Sequence, residues 1–93
     1  MKAKKRIPMD EYVSLMLLCR NKLKDHYKLS YSKRIDWYMD VVKRSMKDNN
    51  VPAGPAAQIV FNGGDDKEPM HRAWLYAAAM EIEIQNQRPV ELN

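Results

Sequence analysis

Between Tyr12 and Tyr27 the apolar side chains fall three or four residues apart: Tyr12, Met16, Cys19, Leu23 and Tyr27 form one line, with Leu15 beside it. This is the period of an α-helix, not the alternation of a strand. Lys22, Lys24, Asp25 and Lys28 fall largely off the line, while Asp10 and Glu11 occupy the first turn, where the helix dipole favours negative charge. The spacing predicts a core helix over about residues 9–28.

The same stretch has the outline of an export signal, because Lys2, Lys4, Lys5 and Arg6 precede an apolar run from Val13 to Cys19. Three features oppose that reading. Asp10 and Glu11 interrupt the passage from basic to apolar residues, no small-residue cleavage site follows, and bulky Leu18 precedes Cys19 where a lipoprotein signal needs a small residue. Nothing approaches the about 20 apolar residues of a membrane span. The expectation is a soluble, cytoplasmic chain with no membrane partner.

A second helix is expected from Ser30 or Ser32, either of which can cap free backbone N–H groups, with Ile35, Tyr38, Val42 and Met46 inward and Trp37 and Val41 flanking. Asn49 and Asn50 should end it, since Asn tolerates left-handed geometry and Pro52 cannot continue the ladder. A connection of about two to four residues makes the two helices neighbours.

The stretch VPAGPAAQIVFNGGDDKEP reads two ways: a short helix from Pro55 to Phe61, or a strand QIVF entering an NGG turn. The helix is preferred because no partner strand exists to satisfy the backbone of a lone one. Asn62, Gly63 and Gly64 then mark a C-cap and turn, and Asp65 or Asp66 caps a last helix with Pro69 in its first turn. That helix, over about residues 67–86, places Met70, Ala73, Trp74, Ala77, Met80 or Glu81, and Ile84 on one face. Ala77, Ala78 and Ala79 favour helix and permit close approach of a neighbour. Arg88 and Pro89 should end the helix, leaving VELN loose.

The 93 residues make one small domain that can bury roughly 60–65% of its unfolded surface. The predicted fold is all-α, a compact bundle of three or four helices, with a flexible basic arm at 1–8, a helical domain at 9–87 and a tail at 88–93. A single cysteine excludes an internal disulfide and suits a reducing compartment.

Catalytic and metal signatures are missing from the pattern. Cys19 and His26 stand seven apart, about 10 Å along a helix axis, too far to share one zinc directly, and His71 has no paired ligand spacing. Cys19 reads as a small buried hydrophobe. Asp36 and Asp40 lie on one helical face as an acid–base pair would, but Lys33, Lys43 and Arg44 surround them, and a solvated ion-pair face explains them better. GGDDKE lacks the alternating oxygen ligands of an EF-hand, and NGG lacks the Lys and Ser or Thr of a phosphate loop. The chain is read as non-enzymatic, with no cofactor and no metal.

Charge is the more informative feature. Residues 1–50 carry 13 Lys and Arg against 6 Asp and Glu, net +7, whereas residues 51–93 carry 3 against 6, net −3. The arm alone, through Lys2, Lys4, Lys5 and Arg6, accounts for the whole net charge of +4. Two functions follow. The first is nucleic-acid binding, in which the arm and Lys33, Arg34, Lys43, Arg44 and Lys47 contact phosphates, the first two helices acting as a helix-turn-helix-like pair. The second is a protein-interaction module, an adaptor or an inhibitor of a macromolecular partner, anchored by Trp37. Small helical regulators of this size include products of phages and plasmids, and a homodimer is compatible with either function. Nucleic-acid binding stands slightly ahead.

Overall fold

The computed structural model describes the backbone of residues 9–92 and the side chains of residues 12–86. Its four helices are α1 (Met9–Tyr27), α2 (Leu29–Asn49), α3 (Ala53–Gly63) and α4 (Pro69–Leu92), and no strand occurs among the described residues. The all-α bundle expected from periodicity is the fold. The basic arm lies outside the described residues.

α4 is the centre of the bundle. Every residue from Trp74 to Met80 is buried, as is Ile82, and consecutive burial over two helical turns requires neighbours on all sides. α1, α2 and α3 each pack extensively on it. The sequence reading assigned α4 a single apolar stripe; Leu75, Tyr76, Ala78, Ala79 and Ile82 are buried as well, because three helices surround it rather than one. Ala77, Ala78 and Ala79 are fully buried, so the close approach that their size permits is used on every side.

α3 relies on small residues in the same way. Ala53, Gly54, Ala56 and Ala57 are buried, and a Cβ at Gly54 would stand 3.0 Å from Tyr12 Cδ1 and 3.1 Å from Met16 Sδ of α1. Ser45 of α2 donates to the Ala56 carbonyl at 3.0 Å, and the Tyr76 hydroxyl of α4 donates to Gln58 Oε1. Lys67 donates to the Phe61 and Asn62 carbonyls at 2.9 and 2.8 Å, satisfying acceptors that the end of α3 leaves free.

Several boundaries differ from expectation. One residue, Lys28, joins α1 to α2, and it adopts φ 55°, a left-handed value that a lysine reaches only with some strain. Neither Ser30 nor Ser32 caps α2; Ser30 Oγ donates back to the Tyr27 carbonyl at 2.8 Å. Asn50 is left-handed, as expected, and its N–H reaches the Met46 carbonyl. Gly64 ends α3 in extended geometry. Asp66 accepts from the Glu68 N–H at 2.9 Å in a turn just ahead of α4, which starts at Pro69. α4 then continues to Leu92, through Arg88 and Pro89. A proline there removes one backbone donor near the terminus, and the helix passes it.

Candidate nucleic-acid interface

Burial of Tyr31, Ile35, Met39, Val42 and Ser45 fixes the inner face of α2 and turns its charged residues outward. Lys33, Arg34, Lys43, Arg44 and Lys47 are all exposed, and none of them is in an ion pair among the described residues. Asp36 and Asp40 are exposed on the same helix. Within the ion-pair face expected there, no salt bridge among the described residues joins Asp36 or Asp40 to Lys33, Lys43 or Arg44: these side chains stand in water, where a held pair gains little over two hydrated ions. Lys2, Lys4, Lys5 and Arg6 lie outside the described residues.

Trp37 projects from this surface with 60% of its area exposed, whereas Trp74 is only 1% exposed. The Trp37 ring meets Tyr38 edge-on, at 5.0 Å and 87°. Tyr38 in turn stacks on Trp74 at 5.4 Å and 13°, and Tyr31 stacks on Trp74 at 5.6 Å and 22°. A continuous run of rings therefore connects the exposed indole to the centre of the bundle. Arg34 belongs partly to that run, with its guanidinium 5.1 Å from the Tyr27 ring centre and 5.8 Å from that of Trp74. Packed over aromatic faces, Arg34 is held in one orientation while keeping its charge at the surface.

The α1–α2 junction extends the basic surface. Lys24 of α1 lies over the Tyr31 ring at 5.7 Å, and Lys28 and Lys33 line a shallow groove with Tyr27, Leu29 and Ser30. Leu29 is 88% exposed there. The first turn of α2 carries no acidic residue of its own, and Asp25 of α1 stands 3.9 Å from Lys28 Nζ at the junction. The junction is not a helix-turn-helix. Its turn is one residue long rather than three or four, and α1 and α2 each share far more contact with α4 than with each other.

Behind this surface, one carboxylate connects three helices. Arg20 Nε of α1 and the Tyr31 hydroxyl of α2 both donate to Glu81 Oε2 of α4, each at 2.6 Å. Burial pushes the Tyr31 hydroxyl far above the usual phenol range, and the hydrogen bond and charge of Glu81 add to the effect. Sequence reading left the inward position open between Met80 and Glu81, and both are used: Met80 for packing, Glu81 for this bond. The partners, Arg20 and Tyr31, have no signature in sequence because they lie 61 and 50 residues away.

The remaining candidate ligands do not converge. Cys19 is half-buried against the core, and burial pushes its thiol up, away from the reactive thiolate, against the opposing pull of Arg72 and Lys22. Cys19 and His26 border a groove of about 510 Å³ between α1 and α4, walled by Leu18, Leu23, Met70 and Ala73. His71 instead faces Asp66 at 3.8 Å and the Tyr38 and Phe61 rings. Among the described residues no three His, Cys, Asp or Glu side chains group as metal ligands. No described helix is long and apolar enough to cross a membrane.

Fold and surface together define a small four-helix protein with a centrally buried helix and a cationic outer helix. Comparison with known proteins gives no match to a family model, a curated protein or a solved structure.

Proposed function

We propose that this is a non-enzymatic, cytoplasmic nucleic-acid-binding protein whose contact surface is the outer face of α2, together with the basic arm. The observation that carries this reading is the set of five exposed cations on one helix, Lys33, Arg34, Lys43, Arg44 and Lys47, none neutralised by an ion pair among the described residues. Cations left free on a rigid element suit phosphate, whose neutralisation releases condensed counterions and supplies most of the affinity in such complexes. Lys24 continues the surface across the junction, where Lys28 pairs with Asp25 at 3.9 Å. Lys2, Lys4, Lys5 and Arg6 add four charges from the sequence.

A gel-shift titration at two salt concentrations tests the reading. Deleting residues 2–6 should make the slope of log affinity against log salt shallower by up to about 3.6 on duplex or about 2.8 on a single strand, for four phosphates neutralised. Failure of the full chain to shift any duplex or strand at low salt overturns it.

Asp36 and Asp40, exposed among the cations of α2, favour a second reading. A surface of both signs with an exposed Trp37 suits a protein partner that the chain would adapt or inhibit. In that case an affinity capture yields one protein that survives nuclease treatment, and Trp37→Ala weakens it while nucleic acid does not compete.

A further inference from the structure

We propose that the nucleic acid taken by α2 is single-stranded, an unpaired base stacking on the Trp37 indole while Lys33 and Arg44 hold the phosphates on either side. The inference rests on the nucleic-acid reading above and narrows it.

The first argument is the state of the indole. With 60% of its area in water, Trp37 is a largely exposed indole. It is in T-shaped contact with Tyr38, which is stacked on the buried Trp74. A ring held from behind loses little freedom when a base settles on it, and every base has a face to offer.

The second is placement. Four residues separate Lys33 from Trp37 and seven separate Trp37 from Arg44, which puts all three within about 40° of one line on the helix, with rises of about 6 and 10.5 Å. A strand crossing the indole along that line meets a cation on each side. Asp36 falls to one flank together with Lys43 and Lys47, Arg34 and Asp48 fall to the other, and Asp40 stands beside the line between Trp37 and Arg44, about 20° from Lys33; the Arg34 guanidinium is already stacked on Tyr27.

The third argument excludes the duplex. Base faces in a duplex are covered by their neighbours, so an indole on a convex helix has nothing to stack on.

The test is intrinsic fluorescence of the full chain titrated with oligo-deoxythymidine, oligouridine and a duplex of equal length. The chain has two Trp, and buried Trp74 serves as a silent reference. Strand binding should quench Trp37 emission, and Trp37→Phe should abolish the signal while keeping most of the affinity in a gel shift. Trp37→Ala should weaken strand binding roughly 5- to 160-fold, the range for losing a base-stacking aromatic, at an unchanged thermal midpoint. Lys33→Ala or Arg44→Ala should each take about 0.7 from the salt slope. The tighter of the two strands names the source, DNA or RNA. Duplex bound as tightly as strand, or undiminished binding by Trp37→Ala, overturns this inference and leaves nucleic-acid binding standing; binding to none of the three overturns both.

Discussion

The hydroxyl of Tyr31 donates to Oε2 of Glu81 at 2.6 Å, joining the outer cationic helix to the central one. Arg20 Nε reaches the same oxygen, so a single carboxylate satisfies a phenol and a guanidinium that are both withdrawn from bulk water. Hydrogen bonds to a charged group contribute about 1.5–3 kcal/mol each. Glu81→Ala should therefore destabilise by about 2–3 kcal/mol, with part of the loss coming from the stranded Arg20, and Tyr31→Phe by about 1–2 kcal/mol. Urea titrations of the two single variants and the double should give a coupling of at least about 0.5 kcal/mol. Strict additivity would show that the shared oxygen is not an energetic link.

Alkaline pH should unfold the protein. Burial raises the hydroxyls of Tyr12, Tyr31 and Tyr38 above their ordinary 10.0, and burial raises the Cys19 thiol above 9.0. The unfolded chain releases these protons at the ordinary values while the folded chain retains them, so stability is fully present below about pH 9 and falls as pH rises. Thermal midpoints should stay level from about pH 7 to 8.5, decline above 9 and drop steeply above 10. Tyr31→Phe should flatten part of that decline. A midpoint unchanged at strongly alkaline pH would contradict the burial of these phenols.

Two glycines should respond oppositely to alanine. At Gly54 a Cβ meets the Tyr12 ring at 3.0 Å, and a ring fixed in the α1–α3 contact has little room to yield, so Gly54→Ala should cost about 1 kcal/mol despite the better helix propensity of Ala. At Gly63 a Cβ meets nothing within 4 Å, and its φ is not positive. Gly63→Ala should stabilise by about 0.4–1 kcal/mol through the unfolded chain. Denaturant midpoints of the two variants, moving in opposite directions from the parent, are the expected result.

Trp74 should be the most costly aromatic to remove. It is buried among Tyr27, Tyr31 and Tyr38, and Trp74→Ala should cost about 3–5 kcal/mol and leave little folded protein at 37 °C. Its indole Nε1–H has no acceptor among the described residues, an omission worth about 1–3 kcal/mol. Trp74→Phe removes that orphan donor together with some packing, and should cost well under half as much as the alanine variant, measured by thermal melts.

An all-α bundle of three or four helices, with the approximate extents and most inward residues of α1 and α2, was legible in the sequence, because apolar spacing in those two helices is local and each buries one face. The helical choice for Pro55 to Phe61, which α3 extends to Ala53–Gly63, followed from the lack of any partner strand. Both tryptophans stand at the edges of their stripes, which ranks Trp37 as the more exposed of the two but does not reveal the complete burial of Trp74. What sequence could not convey is that α4 would be enclosed on all sides: its periodicity is blurred by the run from Trp74 to Met80, and only the positions of three other helices decide whether such a run is a stripe or a centre. The same holds for the chemistry of the surface. Cations on α2 could be counted from residues alone, but their lack of ion pairs, the run of rings behind Trp37 and the meeting of Arg20, Tyr31 and Glu81 join residues as many as 61 positions apart. Side-chain proximity at that separation is set by how helices pack, and helix packing is a property of the assembled core rather than of any segment.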